Sequence, residues 1–179
     1  RFAIRRPAQV WGVGDPTLTA RIVSVMRRSP WIIHFGRWRG RNRWPLAHVK
    51  NVALAAFLAA TLPEAGGLAV NVVDDERTTL DEFYRILARV YFPSRTFGSL
   101  TLPFRLGQIL GAAVSGLSNV LNLERPFADP SFYALYVVSH DLDFGNQRMK
   151  ALAASAGRAL VTRAAGIREL EESVGLPEP

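Results

Sequence analysis

Residues 2–15, FAIRRPAQVWGVGD, decide how the rest of the chain is read. Phe2 to Ile4 has the composition of a short buried strand, and Arg5-Arg6-Pro7 is expected to stop it, because proline has no N–H to give to a ladder. Gly12 and Gly14 then allow a tight turn. A strand that leads into such a loop puts the loop just outside its carboxyl end, where ligands bind in open α/β sheets. The stretch opens without an initiator methionine or an earlier strand, so the chain is expected to be a piece of a longer protein, cut inside its sheet.

Working outward, Asp15-Pro16 reads as a helix N-cap followed by proline at the first helical position. The helix it opens is expected to run to about Arg28, with Leu18, Ile22, Val25 and Met26 on one side and Arg27 and Arg28 at the negative end of its dipole. Trp31 to Phe35 has strand character, and Gly36 to Arg43 is a turn with four arginines. Trp44 to Val49 reads as extended, with Pro45 making it an edge or irregular piece. Asn51 to Leu62 reads as a buried, alanine-rich helix ended by Pro63 and Gly66-Gly67. Leu68 to Val73 is β-branched and nearly continuously apolar, as buried parallel strands are. Thr79-Leu-Asp-Glu82 is a capping box, opening a helix that carries Leu80, Phe83, Ile86, Leu87 and Val90 and stops before Pro93. Arg148 to about Arg158 and Gly166 to Ser173 read as helices, and Val174 to Pro179 as a loose tail.

Leu106 to Leu123 is an 18-residue uncharged run. Its polar residues collect largely on one side and Gly107, Gly111 and Gly116 weaken it as a helix in water. A core helix or pocket wall is the first reading, and an interfacial membrane helix the alternative.

The composition is globular, with 49% apolar and 21% charged residues among 179, and the absence of cysteine excludes disulfides and thiolate metal sites. The net charge of +7 is uneven: residues 1–50 hold eleven bases against one acid, the remainder eleven bases against fourteen acids. Twenty of the 22 bases are arginine, whose planar fork suits phosphates and carboxylates. The basic half implies either an anionic partner or a solvated basic face.

The sequence shows no complete catalytic apparatus. Gly12-Val-Gly14 begins a G-x-G-x-x-G pattern, but Thr17 stands at the third glycine, and no P-loop is present. His34, His48 and His140 are far apart, without metal-ligand spacing. Ser139-His140-Asp141 has triad residue types, but adjacent residues cannot form the triad geometry. The nearest approach to a Tyr-x-x-x-Lys pair is Tyr91-Phe-Pro-Ser-Arg95, where Pro93 breaks the helix such a pair needs.

Taken in order, Arg6-Pro7-x-x-Val10-Trp11-Gly12-x-Gly14-Asp15, Phe35-Gly36, His48-Val-Lys-Asn-Val-Ala53, Val70-Asn-Val-Val-Asp74 and Phe144-Gly-Asn-Gln-Arg148 resemble the C-terminal half of extended short-chain dehydrogenases, the NAD-dependent epimerase/dehydratase superfamily. The 3β-hydroxysteroid dehydrogenase branch is the most similar. The resemblance implies an α/β fold: the C-terminal part of a Rossmann-type parallel sheet, with late strands and helices over residues 1–100, and a mostly helical substrate-binding region over residues 101–179. It implies NAD or NADP, shared with an N-terminal half that carries the glycine-rich loop and the catalytic Tyr and Lys. Pro7, Ala8, Gln9 and Val10 would lie near the nicotinamide. Trp11 and Asp15 would face the substrate, with Arg37, Arg39 and Trp44 added from the arginine turn. Lys50 and Arg37 stand where the family commonly has acids, and Trp11 where it has Tyr or Phe, which puts any polar role of those acids in doubt. Asn51 would be either a helix cap or a substrate contact.

Three functions are compatible with this reading. One is the substrate-binding half of an NAD(P)-dependent oxidoreductase acting on a hydroxysteroid-like or other lipid alcohol. The second is a nucleotide-sugar epimerase or dehydratase of the same fold, with the arginine turn on a diphosphate. The third is a basic membrane- or nucleic-acid-binding module, nucleic acid being the less favoured partner. A cytoplasmic location, with contact at a membrane surface as an option, accompanies all three.

Overall fold

The structure, a computed structural model, describes residues 3–109, 112 and 132–175. Its elements in chain order are β1 (Ile4–Pro7), β2 (Gln9–Trp11), α1 (Leu18–Arg28), β3 (Trp31–Phe35), β4 (Leu46–His48), α2 (Val49–Thr61), a short 3-10 turn (Pro63–Ala65), β5 (Ala69–Val72), α3 (Leu80–Tyr91), β6 (Gly98–Leu102), α4 (Phe132–Ser139), α5 (Gln147–Ser155) and α6 (Arg163–Gly175). Among the described residues the six strands pair in parallel, two by two. The chain forms two compact units, one of Arg1–Thr19, Pro45–Thr78 and Asp143–Pro179, the other of Ala20–Trp44 and Thr79–Leu142.

In the first unit, β1 pairs with β5, Ile4 opposite Ala69 and Pro7 opposite Val72. β2 pairs with β4, Gln9 opposite Leu46 and Trp11 opposite His48. The change of partner happens at Ala8. Its N–H donates to Val72 O at 3.1 Å, and the N–H of Gln9 donates to Pro45 O at 3.1 Å. Ala47, Ala55, Leu58, Val70, Val72, Met149, Leu152 and Ala153 form the core, joining β4, α2, β5 and α5. The small alanines of α2 let the helix lie close to the strands.

The opening strand differs from its expectation in two respects. β1 runs through Pro7, and all four of its residues are exposed. The N–H groups of Ile4 and Ala8 point at β5. Alternation therefore turns the Pro7 nitrogen away from β5, where no ladder bond is lost. Among the described residues β1 has a strand partner on one side only.

In the second unit, β3 pairs with β6, Trp31 opposite Gly98 and Phe35 opposite Leu102. Ile32 and His34 point into the unit and Trp31 and Ile33 outward. α3 opens with the expected capping box, Thr79 and Glu82 each bonding the other's backbone N–H. Leu80, Phe83, Ile86, Leu87 and Val90 are all buried, as their spacing required. β6 is a strand without a counterpart in the sequence reading.

Other boundaries shift for identifiable reasons. α1 begins at Leu18, because residues 16–17 form a turn that the Asp15 carboxylate organises. Its buried residues are Thr19, Val23 and Met26, while Val25 is 46% exposed, so the inward face is rotated from the one expected. α2 starts at Val49, with His48 at the cap. The 106–123 run is helical over 106–109, and the rest of it, apart from residue 112, lies outside the described residues, as do Phe2 and residues 176–179 of the tail.

Candidate functional site

Three of the sequence landmarks meet on one carboxylate in the first unit. Asp74 follows β5 and is 7% exposed. Its Oδ2 accepts from Trp11 Nε1 at 2.7 Å. Its Oδ1 accepts from the backbone N–H of His48 at 2.8 Å and from Asn51 Nδ2 at 2.9 Å. These donors come from the end of β2, the end of β4 and the first turn of α2. The carboxyl ends of three strands are thereby tied together. Burial works to raise the Asp74 carboxyl above its ordinary value, and the bonds from His48, Trp11 and Asn51 only hold that rise back.

Asn51 is therefore not a helix cap, one of the two roles expected of it; His48 stands at the cap. Asn51 lies inside the first turn of α2. Its amide reaches Asp74, and it also exchanges two bonds with Val161, donating to the carbonyl at 3.1 Å and accepting from the N–H at 2.7 Å. It joins the strand ends to the segment that leads into α6. The sequence signal for this was the pairing of an Asn in H-V-K-N with an Asp in N-V-V-D, which periodicity alone does not connect.

The His48 ring packs edge-on against Trp11, with centroids 5.0 Å apart at 74°. Neither ring nitrogen has a hydrogen-bond partner, and Glu169 lies 3.9 Å from Nε2. Burial pulls the His48 ring below its ordinary value, more than the nearby carboxylates of Glu169 and Asp74 push it up. Two glycines make room for this pair. A Cβ on Gly166 would sit 2.8 Å from both the His48 and Trp11 rings, and one on Gly12 would sit 2.8 Å from Val49 and 3.2 Å from His48. Gly12 also has φ +138°, in the region that favours glycine.

The other expected site residues of this unit take separate positions. Pro7 is exposed; Ala8, Gln9 and Val10 are half-buried. Trp11 is 1% exposed with its N–H committed to Asp74. Asp15 accepts from the N–H groups of Thr17, Leu18 and Thr19 at 2.8, 3.2 and 2.6 Å and from the Thr17 hydroxyl at 2.7 Å. Partial burial works to raise the Asp15 carboxyl, but the bonds from Thr19 and Thr17 outweigh it and hold it below its ordinary value.

Arg37, Arg39 and Trp44 belong to the second unit. Arg37 and Arg39 line an open cleft of about 650 Å³ with Gly36, Thr101, Leu102, Pro103 and Phe104. The turn that presents them is held from several sides. Asp81 N–H donates to Gly40 O at 2.9 Å and Leu80 N–H to Asn42 O at 3.1 Å. Asn42 Nδ2 donates to His140 O at 3.0 Å, and Arg43 forks onto Asp141 with its Nε 3.0 and 3.1 Å from the two oxygens. His34 Nε2 sits 2.9 Å from Asp81 Oδ1, with the His34 ring parallel to that of Tyr84. Burial pushes the Tyr84 hydroxyl up to about 12. Trp44 is 4% exposed, inside this unit rather than on the cleft wall. The arginines of the turn therefore divide: Arg43 is tied to an acid, while Arg37 and Arg39 face the cleft.

Among the described residues there is no group of His, Cys, Asp and Glu able to hold a metal, and no helix is long and apolar enough to cross a membrane.

No protein-family model matches the sequence, and no curated protein sequence matches it. Solved structures do share its fold. A UDP-glucuronic acid 4-epimerase from Bacillus cereus, in complex with UDP-glucuronic acid and NAD, is 11% identical with a TM-score of 0.59, over 96% of this chain and 44% of its own. A human epimerase-family protein with NADPH is 16% identical with a TM-score of 0.60, over 97% and 48%. The terminal R domain from the myxalamid biosynthetic pathway is 17% identical with a TM-score of 0.58, over 96% and 43%. The chain thus spans a little under half the length of these proteins. Its α/β fold matches the C-terminal half of the Rossmann-like epimerase and short-chain dehydrogenase fold.

Proposed function

We propose that this chain is the substrate-side half of an NAD(P)-dependent oxidoreductase of the extended short-chain dehydrogenase type, acting on a hydroxysteroid-like or other lipid alcohol. The observation that carries the reading is the convergence of R-P-x-x-V-W, H-V-K-N and N-V-V-D on Asp74 at the carboxyl ends of β2, β4 and β5. Residues that are remote in sequence meet where α/β sheets place their ligands.

In this reading the nicotinamide cofactor, held jointly with a preceding half, supplies the hydride. The chain's own contribution is main chain from Pro7 to Val10. Alternation along β2 turns the N–H and C=O of Val10 away from β4, which makes them the groups a nicotinamide carboxamide would meet. Asp74 does not touch the reactants; it fixes the strand ends that do. The chemical step belongs to catalytic residues outside this chain.

A second reading, a nucleotide-sugar epimerase or dehydratase, is favoured by the cleft of Arg37 and Arg39, whose guanidinium forks match a diphosphate. A thermal-shift comparison on the full-length protein with nicotinamide cofactor present separates the two. Stabilisation by sterols and by no nucleotide sugar supports the lipid alcohol. Stabilisation by UDP-sugars that disappears in Arg37→Ala/Arg39→Ala moves the assignment to the second reading.

A further inference from the structure

The second unit carries the whole charge imbalance of the protein. It holds twelve arginines against five acids, while the first unit holds ten bases against ten acids. The β3–β6 ribbon of this unit also leaves part of one apolar face open, its carboxyl end being half-buried where Phe35 packs against Gly107. Trp31, Ile33 and Phe35 alternate onto one side of β3, and register places Gly98, Leu100 and Leu102 beside them. Trp31 is 51% exposed, Ile33 37% and Leu100 42%. The other side of β3 is the buried one, with Ile32 and His34. Exposed apolar residues that are contiguous, rather than scattered, mark an interaction surface.

Arginines frame this face at both ends. At the amino ends of the strands, Arg27 precedes Trp31, and Arg95 precedes Gly98, donating to Arg27 O at 3.4 Å and lying over the rings of Phe92 and Phe97 at 5.3 and 5.1 Å. At the carboxyl ends stand Arg37, Arg39 and Arg105, all exposed. Gly98 permits the tryptophan's placement: a Cβ there would lie 2.4 Å from the Trp31 ring.

We infer that this face docks on an anionic phospholipid surface, with Trp31, Ile33 and Leu100 entering the interface and the flanking arginines meeting lipid phosphates. The arrangement has the parts that interfacial binding needs: a tryptophan at headgroup level, aliphatic side chains beside it, and basic side chains around them. Cations near an anionic leaflet each add attraction that salt screens. A protein partner of mixed charge gives no reason for acids to be so scarce on this unit, whereas a uniformly anionic surface does. The face uses no residue of the strand-end network in the first unit; it shares Arg37 and Arg39 with the nucleotide-sugar reading, whereas Trp31, Ile33 and Leu100 lie outside the residues that line that cleft.

Vesicle co-sedimentation of the full-length protein tests it. Vesicles of phosphatidylcholine with phosphatidylglycerol should bind the protein, vesicles of phosphatidylcholine alone should not, and raised salt should weaken the binding. Ile33→Ser/Leu100→Ser should lower the partition coefficient about tenfold, as expected for withdrawing two partly exposed aliphatic side chains from the interface. Acyl-chain-brominated lipids should quench the fluorescence of the wild type more than that of Trp31→Phe, a readout that does not require the double variant to fold. Equal binding to neutral and anionic vesicles, unchanged binding by the double variant, or identical quenching of wild type and Trp31→Phe overturns the inference. So does self-association without vesicles that the double variant abolishes, which would assign the face to a second copy.

Discussion

Replacing Asp74 by Asn keeps the shape of the side chain and removes one capability. The amide oxygen can still accept from His48 N–H and Asn51 Nδ2, but an NH2 then faces Trp11 Nε1–H across 2.7 Å. Two donors cannot bond. A hydrogen bond to a charged group contributes roughly 1.5–3 kcal/mol, and the stranded indole N–H adds a desolvation penalty. Relief from burying a carboxylate, the same cause that raises its pKa, offsets part of this. The net cost is about 2 kcal/mol, or a fall in Tm of roughly 4–8 °C for a chain of this size. Urea unfolding of wild type, Asp74→Asn, Trp11→Phe and the double variant isolates the pairwise energy. The cost of Asp74→Asn should shrink by at least half in the Trp11→Phe background. The pH dependence is a second readout. A carboxyl raised in the folded state binds its proton more tightly there than in the unfolded chain, so its contribution to stability declines as pH rises from about 3.8 through the folded value. The gap between wild type and Asp74→Asn should therefore be larger in acid than at neutral pH. Equal stabilities at pH 7, with no coupling to Trp11, would falsify the view of Asp74 as the tie between the strand ends.

His48, lowered in the folded state, loses stability as pH drops below about 6.5, where only the unfolded chain gains a proton; His48→Phe should flatten that part of the profile in pH-dependent urea denaturation. Asp15→Ala should cost about 1 kcal/mol at neutral pH by removing the acceptor at the start of α1, and the cost should fade as acid protonates the wild-type carboxylate below its ordinary range, which thermal unfolding at several pH values measures. Gly166→Ala should destabilise by about 1–3 kcal/mol, although alanine is the better helix former, because its Cβ enters the space of His48 and Trp11. A Gly166→Ala chain as stable as wild type in calorimetry would contradict that packing.

The elements that the sequence disclosed are those whose reasons are local. The Thr79–Glu82 capping box and the five apolar positions of α3 are properties of twelve adjacent residues, and they fold as read. β3 and β5 were visible as short β-branched runs. Features that depend on a partner were misread or missed. Whether Pro7 ends a strand depends on which edge its nitrogen faces, and that is fixed by β5, where its partner Val72 lies 65 residues on. Asn51 looks like a cap until Asp74 and Val161 are placed beside it. β6 has polar residues at Ser99 and Thr101 and becomes a strand only by lying along β3. The candidate site was partly legible as an ordered series of motifs. Its geometry was not, because a buried carboxylate collecting donors from three elements leaves no periodic trace. Arg43 shows the same limit. It reads as one more cation of a basic turn, and only the fold reveals that Asp141 holds it while Arg37 and Arg39 face the cleft.

The role of the Pro7–Val10 main chain at a nicotinamide is tested by a fluorescence titration of the full-length protein with NADH and with NADPH, comparing wild type with Val10→Pro. One of the two nicotinamides should bind saturably, with affinity reduced in the variant because the Val10 amide is lost beside the carboxamide. No saturable binding of either nucleotide to the folded wild-type protein would contradict it.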